Sequence, residues 1–359
     1  GYLIGYLIVA YVLLPIYYKM ELTSIYSYLE KRFGFWSYKT GAGFFMLSRL
    51  IGASIRLLLV SSVLQLILFD DIGIPFEITV ITSVLLIWIY TNKGGIKTII
   101  WTDTIQTFFM LASVIITVWL IGDALNLSQK SGFVNEIANS GYSKIFYFEN
   151  WEQGNYFWKH FFGGIFITIG MTGLDQDMMQ KNLSCKNLLD AKKNMFYFSI
   201  ILVFINLMFL SLGVLLYAIS EKYSIAFSKP DDLFPMVAFD GVLGVPLSII
   251  FIIGLIAAAY SSADSALTSL TTSFCVDILD IESNNKKNIF KRKIVHIVFS
   301  FLIMSVIMIL NLINDSSIIS AIFSMAGYTY GPLLGLYFFG LFTNYSVKDN
   351  LVPYIAVAG

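Results

Sequence analysis

Small and hydroxyl-bearing side chains share one face of a strongly apolar segment in the last third of the chain. At 3.6 residues per turn this face carries Ala258, Ser261, Ser262 and Ser265, and Asp264 borders it. Hydroxyl, carbonyl and carboxylate oxygens are the ligands that a hard monovalent cation such as Na⁺ prefers in place of water. The pattern therefore indicates a cation site inside a membrane helix.

The hydroxyl groups alone also fit a structural interpretation. Serine and other small residues let membrane helices approach closely and form hydrogen bonds between them. Asp264 favours the ion interpretation, because an ionisable group at membrane depth costs roughly 3 kcal/mol or more and usually marks an ion or substrate pathway.

Three further charged residues lie in apolar segments. Arg49 is near the end of its segment and is expected to extend its guanidinium to the membrane interface. Arg56 lies deeper and is expected to pair with an acid or with carbonyl groups inside the bundle. For Asp103 two interpretations stay open: it pairs with Arg56, or it contacts a cation shared with Asp264 and Ser265.

The composition identifies the class of protein. Hydrophobic residues make up 57% and charged residues only 13% of the 359 residues, which predicts an integral membrane protein surrounded by a lipid bilayer. A formal net charge of zero gives no overall attraction to nucleic acid, so no nucleic-acid partner is expected. No motif for metal hydrolysis, acyl transfer or ATP binding is present, and we expect no enzyme activity.

Apolar runs of about 20 residues, the length that crosses a hydrocarbon core, divide the chain. They predict nine complete transmembrane helices and a truncated tenth; the complete ones lie at 2–18, 41–69, 75–90, 93–125, 157–178, 195–219, 245–279, 294–313 and 318–342. Residues 126–156 form a polar loop. Alternating the loops between two sides places most of the 23 Lys and Arg residues on one side, which is therefore assigned to the cytoplasm.

Two of these predicted helices carry weak points. Gly170 and Gly173 lie near the middle of 157–178 and predict that this helix unwinds there, although close helix packing is the alternative. Residues 327–332 are a comparable weak point, because Pro332 removes a helix hydrogen bond.

Five motifs in order resemble one transporter family. TSIYSYLEKRFG, GGIKTIIWTDTIQ, GLDQDMMQKNLSCKNLLDAKKNM, AAAYSSADSALTSLTTSFCVDIL and GPLLGLYFFGLFT are similar to segments of the sodium/solute symporter family. That family includes the sodium/glucose cotransporters, the bacterial proline permease and sialic acid symporters. The similarity covers nearly the whole chain.

The resemblance implies an all-α membrane protein with the LeuT-type inverted-repeat helical bundle, in which two repeats of five helices bind substrate and Na⁺ midway. The chain is then a single transmembrane transporter domain. Residues 1–125 are core helices two to five of the first repeat, 126–156 an extracellular loop, 157–342 the second repeat and 343–359 the start of a truncated helix. The first core helix is expected to be missing.

The resemblance also implies two cation sites. The first uses the Ala258 carbonyl and the Ser261 and Ser262 hydroxyls. A second Na⁺, bound in some relatives, would use positions that read Asp103, Asp264 and Ser265 here. Asp264 replaces a neutral hydroxyl, so this second site is expected to be stronger, altered or filled by an internal ion pair.

A solute site is expected at the predicted break. Sugar-specific relatives carry a stacking Tyr where this chain has Met171, which argues against a glucose-like solute. The unwound segment is expected to contribute Thr168, Met171, Thr172 and Asp175, facing Ser324 and Tyr328.

The expected function follows from the resemblance. It implies a multi-pass protein of the plasma (inner) membrane that couples Na⁺ entry to symport of a small organic solute by alternating access. A sugar, an amino acid, sialic acid and a carboxylate all stay open as the solute. The alternative is a transporter-like membrane sensor module of a larger signalling protein.

Overall fold

The computed structural model describes residues 1–22, 24–91, 96–127, 132–239, 241–281, 286–313 and 318–358. The side chains of some further helical residues, Ser261 among them, lie outside this description. All regular structure in these described ranges is helical, as predicted.

The helices are numbered in chain order. They are α1 Tyr2–Lys19, α2 Ser27–Arg32, α3 Phe35–Ile72, α4 Phe76–Thr91, α5 Ile96–Ala124, α6 Phe133–Asn139, α7 Phe157–Thr168, α8 Gln176–Leu183, α9 Leu188–Tyr223, α10 Leu233–Phe239, α11 Val245–Ile278, α12 Lys286–Ile313, α13 Ile318–Phe342 and α14 Val352–Ala358. Wider π-type turns occur at Val9–Leu13, Gln65–Phe69, Ile169–Gly173 and Phe274–Ile278.

Six helices in the described part of the chain are long and apolar enough to cross a membrane. They span Tyr2–Lys19, Phe35–Ile72, Asp103–Ala124, Leu188–Tyr223, Val245–Ile278 and Asn288–Leu312. Helices satisfy all their backbone hydrogen bonds internally, which is what a hydrocarbon environment requires. The protein is therefore a multi-pass membrane protein, and the count of nine complete helices stays a prediction.

Helix α3 lies at the centre of the bundle, where it packs against α4, α11, α12 and α13. Its first half joins a buried apolar cluster with α1, α2 and α13, to which α3 contributes Phe45. Its second half joins a separate cluster with α4, α11 and α12, to which it contributes Leu57 and Leu58. Both arginines of the sequence pattern, Arg49 and Arg56, lie on α3 between these two clusters.

Helix α3 begins at Phe35, six residues before the predicted start at 41. Asp349 caps it, because its carboxylate accepts hydrogen bonds from the backbone N–H groups of Trp36 and Ser37, both at 2.8 Å. Gly34 precedes the helix with a φ of 138°, and a Cβ there would lie 2.7 Å from the Asp349 carboxylate. The early start thus depends on a distant acid that helix periodicity does not reveal.

We expect the Asp349→Ala substitution to lower the free energy of unfolding by about 1–2 kcal/mol, since it removes a charged helix cap. The shift in melting temperature of the purified protein measures this loss. Glu149→Ala is the matched control: its carboxylate pairs with Lys144, but the two side chains are 75% and 47% exposed, so little change is expected. Equal shifts for both variants would contradict the capping role.

Candidate functional site

The helix predicted to unwind is broken between α7 and α8. The wide turn Ile169–Gly173 ends α7, and Leu174 and Asp175 then leave the helical conformation. Asp175 starts α8 as its N-cap, since its side chain accepts a hydrogen bond of 3.1 Å from the Met178 N–H. The break therefore lies just after the glycine pair that predicted it.

Tyrosines satisfy the carbonyl groups that the break sets free. The Tyr17 hydroxyl donates to the Gly173 carbonyl and the Tyr26 hydroxyl to the Leu174 carbonyl, both at 2.9 Å. Both tyrosines are fully buried. Tyrosine hydroxyls already occupy these two carbonyl groups. The side chains of the broken helix are therefore the groups more available to a ligand.

Arg49 is the centre of a buried ion network beside the break. Its guanidinium donates to the Asp177 carboxylate and lies 3.8 Å from Asp175 Oδ2. The Tyr330 hydroxyl of α13 donates to the same Asp175 oxygen at 2.6 Å. The Arg49 and Asp175 side chains are only 8% and 1% exposed, so the expectation that Arg49 reaches the membrane interface is wrong. Two carboxylates hold Arg49 inside instead.

A cavity of about 240 Å³ lies where four helices meet. It is lined from α3, α5, α8 and α11 by Arg49, Arg56, Gln106, Thr107, Met110, Asp177, Met178, Lys181, Ala257, Ala258, Ser262 and Ser265. Basic side chains of α3 and α8 thus line the same cavity as the hydroxyl groups of Ser262 and Ser265 on α11.

The predicted first sodium site lies on the α11 wall of this cavity. Ala258 and Ser262 both line it, whereas the Ser261 side chain lies outside the described residues. The Ser262 hydroxyl accepts a hydrogen bond of 3.1 Å from Arg56 Nη1. A hydroxyl oxygen can accept a second contact, so Ser262 keeps the capacity to bind a cation.

A lysine lies at the predicted second sodium site. Lys181 Nζ is 2.9 Å from Asp103 Oδ2 and 2.9 Å from Ser265 Oγ. Asp103 therefore forms its ion pair with Lys181 and not with Arg56. Asp264 is fully buried beside them on α11, and its Oδ1 accepts from the Ser265 N–H. Its Oδ2 has no hydrogen-bond partner among the described residues.

The structure distributes the predicted solute residues of the broken helix over several places. Met171 lines a small space together with Arg49, Arg56 and Tyr330. Thr168 packs against Gly5 of α1. A Cβ added to Gly5 would lie 2.5 Å from the Cβ of Thr168. Thr172 lies near the Tyr6 side chain of α1, and Asp175 contacts Arg49 and Tyr330. Of the four, Met171 is the one that lines this small space.

The predicted partners on α13 face the other way. Ser324 is exposed and Tyr328 is 79% exposed, whereas Tyr330 is 5% exposed and reaches the broken helix. Residues two apart on a helix point about 200° apart, so the inward face of α13 passes through Tyr330 and not Tyr328. The helix also continues through Pro332, and the predicted weak point at 327–332 does not interrupt it.

Sequence reasoning missed Lys181 and Tyr330 as site residues. A signal for Lys181 existed, because it lies four residues after Asp177 and therefore shares its helix face. The two side chains are indeed 3.9 Å apart. The sequence pattern instead assigned Lys181 to a cytoplasmic loop, where its charge fitted the side that carries most basic residues.

Several known sodium-coupled transporters are similar to this chain over most of its length. The sodium/sialic acid symporter NanT of Aliivibrio fischeri is 27% identical over 93% of this chain and 66% of its own length. The sodium-dependent multivitamin transporter of Oryctolagus cuniculus is 26% identical over 95% of the chain and 54% of its length. The human sodium-coupled monocarboxylate transporter 1 is 26% identical over 92% and 55%. The chain thus spans between half and two thirds of these relatives.

A solved structure shows the same fold. It is the substrate-bound, outward-open state of a Na⁺-coupled sialic acid symporter, with a TM-score of 0.79 and 24% identity over 95% of this chain and 71% of that one. This likeness shows the LeuT-type helical fold expected from the sequence. The sodium:solute symporter family matches residues 1–347, which is almost the whole chain. The chain belongs to the sodium:solute symporter family.

Proposed function

We propose that this chain forms the transport domain of a secondary active transporter that couples Na⁺ entry to uptake of a small organic solute. The observation that carries the proposal is one cavity of about 240 Å³ that is lined both by Ala258 and Ser262 and by the broken helix through Asp177 and Lys181. A cation on α11 would then lie in the space that the solute enters, which couples the two bindings directly.

The membrane potential makes such coupling useful. One Na⁺ that crosses a potential of 100 mV supplies about 2.3 kcal/mol, to which its concentration gradient adds. Discontinuous helices near the midplane form the binding sites of many secondary transporters, and α7 and α8 have that arrangement. We accordingly place the protein in the plasma (inner) membrane, where a Na⁺ gradient is maintained.

We further propose that the solute carries a negative charge, such as a carboxylate. Arg49 and Lys181 each have carboxylate partners, whereas Arg56 makes only the hydrogen bond to Ser262 among the described residues. An uncompensated guanidinium in a membrane cavity is costly, and an anionic group of the solute would offset that cost. The sialic acid and monocarboxylate named for two relatives are anions as well.

Transport by the full-length protein in proteoliposomes tests the proposal. Labelled sialic acid, monocarboxylates, amino acids and sugars are offered with an inward Na⁺ gradient and with an equal concentration of choline. We expect Na⁺-dependent uptake of at least one carboxylate and no uptake of glucose. Uptake that is equal in Na⁺ and choline for every solute would overturn the coupling, and uptake of neutral solutes alone would overturn the charge preference.

The substitution Arg56→Gln is expected to raise the KM for the carboxylate solute by about 10- to 150-fold, because a hydrogen bond to a charged group contributes about 1.5–3 kcal/mol. The neutral amide of the same solute serves as the matched comparison and should lose much less. A KM that rises by the same factor for the acid and its amide would show that Arg56 shapes the cavity without recognising charge.

A further inference from the structure

Lys181 reaches the second cation position from the neighbouring helix. Its ammonium nitrogen lies 2.9 Å from both Asp103 Oδ2 and Ser265 Oγ, and 3.9 Å from Asp177 Oδ2. Asp103 belongs to α5, Ser265 to α11 and Lys181 to α8, so the ammonium joins three helices. Two of the three residues predicted to bind a second Na⁺ are thus held by a positive charge of the protein itself.

An ammonium group and a sodium ion have the same charge and use the same oxygen ligands. Lysine carries three donors on a compact, mobile head, and the oxygens of Asp103 and Ser265 accept two of them. An Na⁺ bound by the same two oxygens would lie close to the ammonium in a partly buried setting, where like charges repel strongly. The Lys181 side chain is 30% and the Asp103 side chain 20% exposed.

We infer that Lys181 acts as a tethered cation that takes the place of a second Na⁺. This inference rests on the proposed function, which it deepens by assigning the stoichiometry: one Na⁺, at Ala258 and Ser262, accompanies each solute. Lys181 keeps the link between α5, α8 and α11 that a second ion would otherwise form. Because that link is covalently attached, it contributes no energy from the Na⁺ gradient.

The number of bound Na⁺ ions tests the inference. Equilibrium binding of ²²Na⁺ to the full-length protein and the Na⁺ dependence of uptake are measured together. We expect one bound Na⁺ and a Hill coefficient of about one for the unmodified protein, and about two of each for Lys181→Met, whose vacated site can take an ion. Lys181→Arg should resemble the unmodified protein.

A matched control and a milder variant complete the experiment. Lys186→Met makes the same change at an exposed lysine outside the cavity and should leave one bound Na⁺. If Lys181→Met fails to fold, Lys181→Gln, which removes the charge and keeps a polar side chain, takes its place. The inference expects about two bound Na⁺ for it, and a folded Lys181→Gln variant that binds one Na⁺ would overturn it.

The outcomes separate the inference from the proposed function. Two Na⁺ bound by the unmodified protein would overturn the tethered cation and leave Na⁺ coupling intact. A folded Lys181→Met variant that still binds one Na⁺ would overturn it as well. Absence of Na⁺ binding together with Na⁺-independent uptake in the unmodified protein would instead overturn the proposed function itself.

Discussion

The substitution Arg49→Met is expected to reduce the yield of folded protein severely. Arg49 is the cation held between Asp177 and Asp175, and the three side chains are 8% exposed or less. Removal of one partner from a buried ion pair leaves uncompensated charge and typically costs about 3–5 kcal/mol. That loss is a large share of the stability of most proteins. The yield of monodisperse protein in detergent and its melting temperature measure the effect.

A second variant shows whether charge is the cause. Arg49→Met combined with Asp177→Asn removes one positive and one negative charge, and we expect it to recover a substantial part of the yield. Arg56→Met is the matched single change on the same helix. Among the described residues it leaves no carboxylate without an ion-pair partner, so this variant should fold well. Arg49→Met with normal yield and melting temperature would refute the buried network.

The membrane helices were largely predictable because hydrocarbon leaves the backbone little choice. Long apolar runs identified α3, α9, α11 and α12 within several residues of their observed positions. The glycine pair near Gly170 correctly predicted a broken helix, since glycine lowers the cost of leaving the helix. The early start of α3 was not predictable, because the cap comes from Asp349, more than 300 positions away in the sequence.

Partners of the charged residues could not be predicted from spacing. Helix periodicity assigns a residue to a face, but it does not say which helix lies opposite. Arg49 and Asp177 are separated by 128 positions, and Lys181 and Asp103 by 78. The sequence offered Arg56 as one of two partners of Asp103, and Lys181 of α8 pairs with Asp103 instead.

The rotation of α13 about its own axis was likewise not predictable from the sequence. An aromatic residue from this helix was expected to face the broken helix, and one does, but it is Tyr330 and not Tyr328. Since each residue turns a helix by about 100°, an error of two positions moves a side chain to the opposite face. The apolar surroundings of both tyrosines in the sequence gave no means of choosing between them.

Replacement of both Ser261 and Ser262 by alanine is expected to raise the Na⁺ concentration for half-maximal binding by about 30-fold, because each lost ligand costs on the order of 1 kcal/mol. Binding of ²²Na⁺ without solute measures this change directly. Ser269→Ala is the matched control: this buried hydroxyl of the same helix donates to the Ala266 carbonyl at 3.1 Å, outside the cavity, and should leave Na⁺ affinity unchanged.

The Arg56 guanidinium also donates a hydrogen bond to Ser262, so an effect of the serine substitution has a second explanation that must be separated from Na⁺ binding. If the serine acts only by positioning Arg56, Ser262→Ala would raise the KM for an anionic solute and leave Na⁺ binding intact. If the serine binds the ion, Na⁺ affinity falls even when Arg56→Gln has already removed that hydrogen bond. Two effects that add in free energy in the double variant support direct Na⁺ ligation, since independent contributions are additive. Loss of the serine effect in the Arg56→Gln background would assign Ser262 to the arginine instead.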